Sequence, residues 1–204
     1  MNEMKIWDFP QVVDLLYKEW DLGKISSMAK GKICAWIYLM EILQESEEII
    51  VYKEKNKIIG FCGYAKWKSK KHSVKKKLYR WIKKLLINSP RIKNKEALKS
   101  YMENYESIPQ ELKGRFDGEI SILLVNQEYR GKGYGKKLLQ EIFEIAKKDG
   151  IKNLQIITDE SCNYEFYDKL GCEKIYEKTV RNEEPYKVGS VRTEQAFIYE
   201  KVFE

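Results

Sequence analysis

Histidine and paired cysteines are scarce in this sequence of 204 residues. His72 is the one histidine, and no two of the four cysteines form a C-x-x-C pair: Cys34, Cys62, Cys162 and Cys172. Because a Cys/His zinc site needs such clusters, we expect none, and no other metal site is predicted. The cysteines are instead expected to be free thiols in a reducing compartment, which favours a cytoplasmic protein.

Long apolar runs are also absent, and no N-terminal leader is expected. The apolar stretches fall short of the roughly 20 residues of a membrane-spanning helix, and MNEMKIWDFPQ lacks the apolar core of a signal peptide. The chain has 4 prolines, 43% hydrophobic and 13% aromatic residues, a composition that argues against disorder. We therefore expect one cytoplasmic domain over residues 1–204, without a membrane span.

Acidic residues are absent from one segment. Residues 65–95 contain 13 Lys and Arg and no Asp or Glu, whereas the remainder holds 25 basic and 31 acidic residues. The net charge of +7 is therefore +13 from this segment and −6 from the rest. The basic character belongs to one segment and not to the whole chain.

Hydrophobic periodicity predicts a mixed α/β chain. Two early helices are expected, PQVVDLLYKEW and ISSMAKGKICAWIYLMEILQES. A hairpin follows, in which KN forms the tight turn between IIVYKE and KIIGFCGYA. After the strand GEISILLVN the pattern predicts, in order, a helix ending at Gly150, the strand NLQIITDE, a short helix ending at Gly171, and the strands CEKIYEKTV and QAFIYEKVF.

The segment 69–113 separates the hairpin from the next strand. It contains a basic helix with a narrow apolar stripe formed by Val74, Leu78, Trp81, Ile82, Leu85 and Leu86. A further helix is predicted in NKEALKSYMENYESIPQEL, ending before Pro109. We favour a lid whose stripe packs on the domain with solvated lysines. The alternative is recruitment of an acidic acceptor, nucleic acid or an anionic membrane surface.

A glycine-rich loop, RGKGYGKKLL, lies between GEISILLVN and a helix. Glycines between a strand and a helix leave the first helical N–H groups available to an anion, so the loop suits a phosphate. They equally suit a tight turn, and the glycine spacing alone does not separate the two. The sequence has no Walker loop, and Gly131, Gly133 and Gly135 do not have the spacing of a dinucleotide fingerprint.

The loop resembles the GNAT acetyltransferase superfamily, whose pattern [QR]-x-x-G-x-[GA] is met by Arg130, Gly133 and Gly135. The family's frequent proline before the loop is Gln127 here. The resemblance implies an α/β fold with a central mixed, mostly antiparallel sheet flanked by helices. The segment 69–113 then becomes a helical insertion between the third and fourth strands.

A second segment, NYEFYDKLGCEKI, resembles the family's N-x-x-x-F-Y-x-x-x-G-F. Asn163, Tyr167 and Gly171 match this pattern, and Cys172 replaces the usual aromatic residue. The two segments together span roughly residues 119–175 and occur in the expected order of strand, loop, helix, strand and helix. Their combination favours a phosphate-binding loop over a simple turn.

The resemblance implies acetyl-CoA as co-substrate, with no metal. Backbone N–H groups of the loop would hold the pyrophosphate, the end of the strand would bind pantetheine as an added strand, and Asn163 would contact the CoA arm. The implied residues are Leu123, Leu124, Val125, Arg130, Gly131, Lys132, Gly133, Tyr134, Gly135, Lys136 and Asn163.

Two residues are candidates for catalysis. Tyr167 matches the family position that often protonates the leaving thiolate, and its alternative role is a packed aromatic. Glu119 matches the general base of the histone-modifying branch, and its alternatives are an exposed carboxylate at the strand start or a water acting as base. Asp117 is a weaker candidate. Strand alternation predicts Glu119, Ser121 and Leu123 on one face.

The resemblance therefore implies an N-acetyltransferase acting on a primary amine by direct attack on the thioester. The acceptor is open among small-molecule and peptide amines, nucleic acid is a less favoured partner, and the oligomeric state is not readable. The alternative is a catalytically silent GNAT-fold module that uses the basic insertion to hold an acidic partner.

Overall fold

A computed structural model describes residues 1–27, 29–67, 73–96, 98, 112, 114–183 and 191–203. The helices with defined bounds are α1 (Phe9–Glu19), α2 (Ile33–Glu45), α3 (Val74–Ile87), α4 (Tyr134–Lys148) and α5 (Glu165–Asp168). The strands are β1 (Asn2–Glu3), β2 (Glu48–Glu54), β3 (Lys57–Lys66), β4 (Gly118–Val125), β5 (Asn153–Asp159), β6 (Glu173–Glu183) and β7 (Val191–Val202).

The described strands form one seven-stranded sheet in the order β1-β2-β3-β4-β5-β7-β6. Neighbouring strands run antiparallel, with β4 and β5 as the parallel pair. Helices α1 and α2 bury one apolar cluster against one face of the sheet, and α4 buries another against the opposite face. This arrangement confirms the expected fold class, a mixed and mostly antiparallel sheet flanked by helices.

Local sequence accounts for most of the element boundaries. The turn between β2 and β3 uses Lys55 and Asn56 with φ of 46° and 66°, the left-handed conformation that two-residue hairpin turns require. Helix α4 ends before Gly150, whose φ is 77°. The predicted second helix was too long at its N-terminus, because Gly31 takes a φ of 64° and α2 begins only at Ile33.

Helix α3 lies between β3 and β4 and packs against α2 and the cluster beneath it. The favoured interpretation, in which its whole apolar stripe packs on the domain, is wrong in part. Ile82 and Leu86 contact that cluster, whereas Leu78 and Trp81 are 49% and 58% exposed. Of the second predicted helix in this segment, residues 95, 96 and 98 are helical and Asn94 is not, while residues 97 and 99–109 lie outside the described residues.

Candidate functional site

Strands β4 and β5 separate soon after they meet. They pair at two positions only, Gly118 with Leu154 and Glu119 with Gln155. A β-bulge follows in β4, since Tyr64 of β3 pairs with Ile120 and the next residue, Gly63, pairs with Ile122. Beyond this point the strands border an open cleft of about 1490 Å³.

The bulge leaves Ser121 outside the register between β3 and β4. Beyond it, each side chain of β4 lies on the face of the sheet opposite to the one that regular alternation predicts. Ile120 and Leu123 pack on the α4 side of the sheet, whereas Ile122 packs on the α1–α2 side. Glu119 precedes the bulge on the face opposite Ile120. The prediction that Glu119 and Leu123 share one face is therefore wrong, because the extra residue shifts the alternation by one.

The backbone of β4 presents hydrogen-bonding groups to the cleft. The Asn126 N–H donates to Ile59 O at 2.8 Å, and bonded pairs alternate along antiparallel strands. The peptide groups of Leu124 therefore face β3, whereas those of Leu123 and Val125 face the cleft. Of the three residues of β4 predicted to bind the ligand, Leu123 and Val125 can therefore offer backbone groups to it, whereas those of Leu124 are directed at β3.

The glycine loop forms the N-terminus of α4. Gly131 and Gly133 adopt φ of 77° and 81°, and Gly133 is the N-cap residue. A Cβ at either position would meet no atom within 4 Å, so the space beside the loop is open. The N–H groups of Tyr134, Gly135 and Lys136 lie in the first helical turn, where no intrahelical acceptor exists. The loop can therefore receive an anion.

Gly135 gives an independent test of whether a ligand fits here. It has no positive φ, and a Cβ would lie at ordinary distances of 3.7 Å from Val125 Cγ2 and 3.8 Å from Phe166 Cζ. Neither backbone conformation nor crowding requires glycine in this helical turn, where it costs roughly 0.5–1 kcal/mol relative to alanine. A Cβ would occupy cleft space, which fits close approach of a ligand.

Arg130 contacts the protein through both its backbone and its side chain. Its N–H donates to Gln127 O at 3.2 Å, and its guanidinium donates to Val125 O at 3.1 Å and to Glu19 at 2.7 Å. Glu19, whose side chain is 2% exposed, also accepts from the Gln127 N–H at 3.0 Å. Arg130 thus fixes the loop to α1, and the amides left for a ligand begin at Gly131.

Tyr167 lies in α5 at the wall of the cleft and is 8% exposed. Its ring is 5.3 Å from that of Phe166 and 5.4 Å from that of Tyr199. Burial raises the pKa of the Tyr167 phenol, and a hydrogen bond with the side chain of Thr158 opposes this shift. The phenol therefore stays protonated at neutral pH and can donate a proton.

Two carboxylates were candidates for the base, and the structure places them differently. Half-buried Glu119 lines the cleft beside the point where β4 and β5 separate. Asp117 accepts hydrogen bonds from the N–H groups of Lys152 and Asn153, at 2.9 and 3.4 Å. Asp117 thus orders the start of β5, and Glu119 is the better placed candidate.

The predicted site residues line the cleft, except for the weaker candidate Asp117 and for Lys132, whose Nζ lies 5.1 Å from the ring centroid of Tyr129. Exposed Asn163 follows β5 on the opposite wall. Sequence analysis missed Glu19 and the aromatic residues Trp20, Tyr38 and Trp67, which also line the cleft. No local motif identifies these residues. They come from α1, α2 and the end of β3, and only the folded chain brings them to the cleft.

In the part of the chain that the structure describes, no group of three or more His, Cys, Asp or Glu side chains could hold a metal ion. All four cysteines are free, and three of them are buried. None of the described helices has both the length and the apolar character needed to cross a bilayer.

Residues 9–172 match the family model described as "Acetyltransferase (GNAT) family". The fold is similar to that of smu.2055 from Streptococcus mutans UA159, with 20% identity, a TM-score of 0.58, and coverage of 100% of this chain and 98% of that chain. No curated protein matches the sequence.

Two further solved structures share the fold at low identity. A ribosomal-protein-alanine N-acetyltransferase from Brucella melitensis has 13% identity and a TM-score of 0.57, covering 99% of this chain and 98% of that chain. An aminoglycoside 6'-N-acetyltransferase complexed with coenzyme A has 15% identity and a TM-score of 0.57, covering 98% and 95%. Likeness at these identities shows the fold alone.

Proposed function

Because this chain belongs to the GNAT acetyltransferase family, we propose that it transfers an acetyl group from acetyl-CoA to a primary amine by direct attack on the thioester. One observation carries the proposal: the cleft joins a strand edge with outward-facing peptide groups to a glycine-lined helix N-terminus. A protein of the same fold binds coenzyme A, which supports this assignment.

The loop and β4 would hold the two ends of the co-substrate. The amides of residues 131–136 suit the pyrophosphate, because unpaired first-turn N–H groups and the helix dipole both favour an anion. The cleft-facing peptide groups of Leu123 and Val125 suit the pantetheine arm as an added strand, and Asn163, which also lines the cleft, would contact the arm. When bound, acetyl-CoA supplies the activated acyl group.

Three groups of this chain would carry the chemistry. The Leu123 N–H, directed at the cleft, would polarise the thioester carbonyl. Glu119, directly or through a water, would accept the proton that the amine gives up as the C–N bond forms. Tyr167 would donate a proton to the sulfur as the C–S bond breaks. The protonated, buried phenol fits that role.

The comparisons do not favour a catalytically silent module, and turnover decides between the two. Calorimetry with acetyl-CoA measures binding, and thiol release is then followed with polyamines, aminoglycosides, amino acids, peptide N-termini and lysine peptides. We expect binding, turnover with at least one amine, and a fall in kcat of about 100-fold or more in Tyr167→Phe.

The matched control is Tyr176→Phe, which removes the hydroxyl of a half-buried tyrosine on β6, outside the cleft lining. We expect it to retain wild-type turnover. Binding of acetyl-CoA without turnover on any amine would overturn the enzymatic role, and absence of binding would overturn the site itself.

A further inference from the structure

Helix α3 carries two apolar stripes on different faces. The inner stripe packs on the cluster beneath α1 and α2 and consists of Tyr79, Ile82, Leu86 and Ile87. The outer stripe follows the spacing i, i+4, i+7 and i+11 and is exposed: Val74 80%, Leu78 49%, Trp81 58% and Leu85 53%. Since the inner stripe anchors the helix, the outer stripe is held outward as a fixed surface.

Cations border this outer stripe. Helix α3 has six Lys and Arg and no acidic residue. Lys76 and Lys83 turn inward to form ion pairs with Glu47 and Glu41. Lys77, Arg80 and Lys84 have no ion-pair partner among the described residues, and the helical repeat places them along one edge of the outer stripe, with Lys75 along the other. The apolar surface therefore lies within a cationic border.

The N-terminal segment extends the same surface. Ile6 and Trp7, in a short 3₁₀ helix before α1, are 72% and 70% exposed. Phe9 contacts Tyr79 of α3 with ring centroids 6.4 Å apart, and Lys75 lowers the pKa of nearby Glu3, after the larger effect of a hydrogen bond from Lys5. These contacts place the short Ile6–Asp8 helix beside α3, so the exposed side chains of Ile6 and Trp7 extend the apolar surface of the outer stripe.

The chemistry of this surface discriminates among partners. A second copy of the chain would bring two cationic helices together, which is unfavourable. Nucleic acid would use the cations but has no need of an exposed aliphatic stripe. An anionic bilayer satisfies both features, since aliphatic and tryptophan side chains enter the headgroup boundary while lysines contact the lipid phosphates.

We propose that α3, with Ile6 and Trp7, docks this protein on an anionic lipid surface. The helix lies in the plane of the interface and does not cross the bilayer. Lys76, near the start of α3, donates to the carbonyl oxygen of Glu45, a residue that lines the cleft. Docking would thus place one end of the cleft close to the lipid headgroups. The proposal does not depend on the acetyl-transfer reaction.

Vesicle sedimentation with the full chain tests the proposal. Vesicles of phosphatidylcholine with phosphatidylserine are compared with phosphatidylcholine alone, at low and high salt. We expect binding to the anionic vesicles to be at least about tenfold tighter, and to weaken with salt. The triple variant Lys77→Glu/Arg80→Glu/Lys84→Glu should weaken it by about 100-fold or more, because three attractions become repulsions.

The matched control reverses three exposed lysines elsewhere, in Lys30→Glu/Lys55→Glu/Lys148→Glu, with the same change in net charge. It should retain more than half of the binding. Equal loss of vesicle binding in both triple variants would overturn the proposal, because binding would then depend on net charge and not on the position of the lysines and arginine. Thermal unfolding and acetyl-CoA calorimetry on each variant show that loss of vesicle binding is not loss of the fold.

Tryptophan emission reports insertion of the stripe itself. The chain has 5 tryptophans, and we expect a shift to shorter wavelength on anionic vesicles that is reduced in Trp81→Phe and largely lost in Trp7→Phe/Trp81→Phe. Leu78→Ser/Leu85→Ser should reduce vesicle binding at unchanged charge. Binding to duplex DNA or to an acidic protein without binding to vesicles would contradict the proposal. Vesicle binding that is unchanged by these substitutions would contradict it as well.

Discussion

At the scale of single residues, the loop glycines divide into two kinds. Gly131 and Gly133 hold the left-handed conformation that shapes the loop, whereas Gly135 has helical geometry and room for a Cβ. Fold and ligand therefore impose separate requirements on neighbouring positions. Sequence alone shows three alternating glycines and does not reveal this division.

Gly135→Ala should separate stability from binding. We expect the free energy of unfolding to stay constant or rise by up to about 1 kcal/mol, because alanine favours the helix. Acetyl-CoA affinity should fall about tenfold or more, because the methyl group occupies ligand space. Denaturant unfolding and calorimetry measure the two effects. Gly150→Ala, at φ 77° and outside the cleft lining, should lower the free energy of unfolding and leave acetyl-CoA affinity unchanged. A stable Gly135→Ala protein with normal affinity would place the ligand elsewhere.

Tyr167 makes a prediction about pH. An acid with a raised pKa is protonated below that pKa and loses its proton only above it. Since burial raises the Tyr167 pKa above the ordinary tyrosine value of about 10, the donor remains intact through pH 9. We expect kcat not to fall between pH 7 and 9, measured by thiol release at saturating amine. A decline centred in that range would assign the proton donor to another group.

At the scale of elements, the feature that makes the site is the bulge in β4. Propensity predicts a strand at GEISILLVN, and the strand is present. A bulge depends on how β3 pairs with β4, which the sequence of β4 alone does not specify. For this reason the sequence predicts the strand itself correctly but is wrong in placing Glu119 and Leu123 on one face.

Amide hydrogen exchange tests the role of this strand edge. Acetyl-CoA should slow exchange of the Leu123 and Val125 N–H groups, which face the cleft, because an added strand would accept their hydrogen bonds. The Leu124 N–H, already directed at β3, serves as an internal control and should change little. Residue-resolved exchange by NMR provides the measurement. Equal protection of all three amides would indicate general stabilisation and not strand addition.

At the scale of the whole molecule, an ion pair links the N-terminal helical layer to the ligand loop. Glu19 and Arg130 are 111 residues apart in sequence, and Glu19 also accepts from the Gln127 N–H. Their contact fixes the loop to α1. The sequence does not reveal this pair: the loop motif marks Arg130, but nothing marks Glu19 among the 31 acidic residues.

Glu19→Ala should lower both stability and acetyl-CoA affinity. We expect a loss of about 1–3 kcal/mol in the free energy of unfolding, because the loop amide and guanidinium lose a shared acceptor. Glu128→Ala is the control: it lies in the same loop and its side chain is 58% exposed, so the loss should stay within about 1 kcal/mol. Thermal unfolding and calorimetry compare the two. Equal effects would show that Glu19 has no special role in the loop.

Local sequence determined most of the elements, the hairpin turn, most helix ends and the glycine loop of this protein, because these depend on the conformational preferences of adjacent residues. Together with the two motifs, it also indicated the family. The tertiary structure alone decided the bulge at Ser121, the Glu19–Arg130 pair, the different roles of Leu123 and Leu124, and the exposure of the outer stripe of α3. Each of these arises from contacts between segments that are distant in the chain, and the conformational preferences of adjacent residues do not specify such contacts.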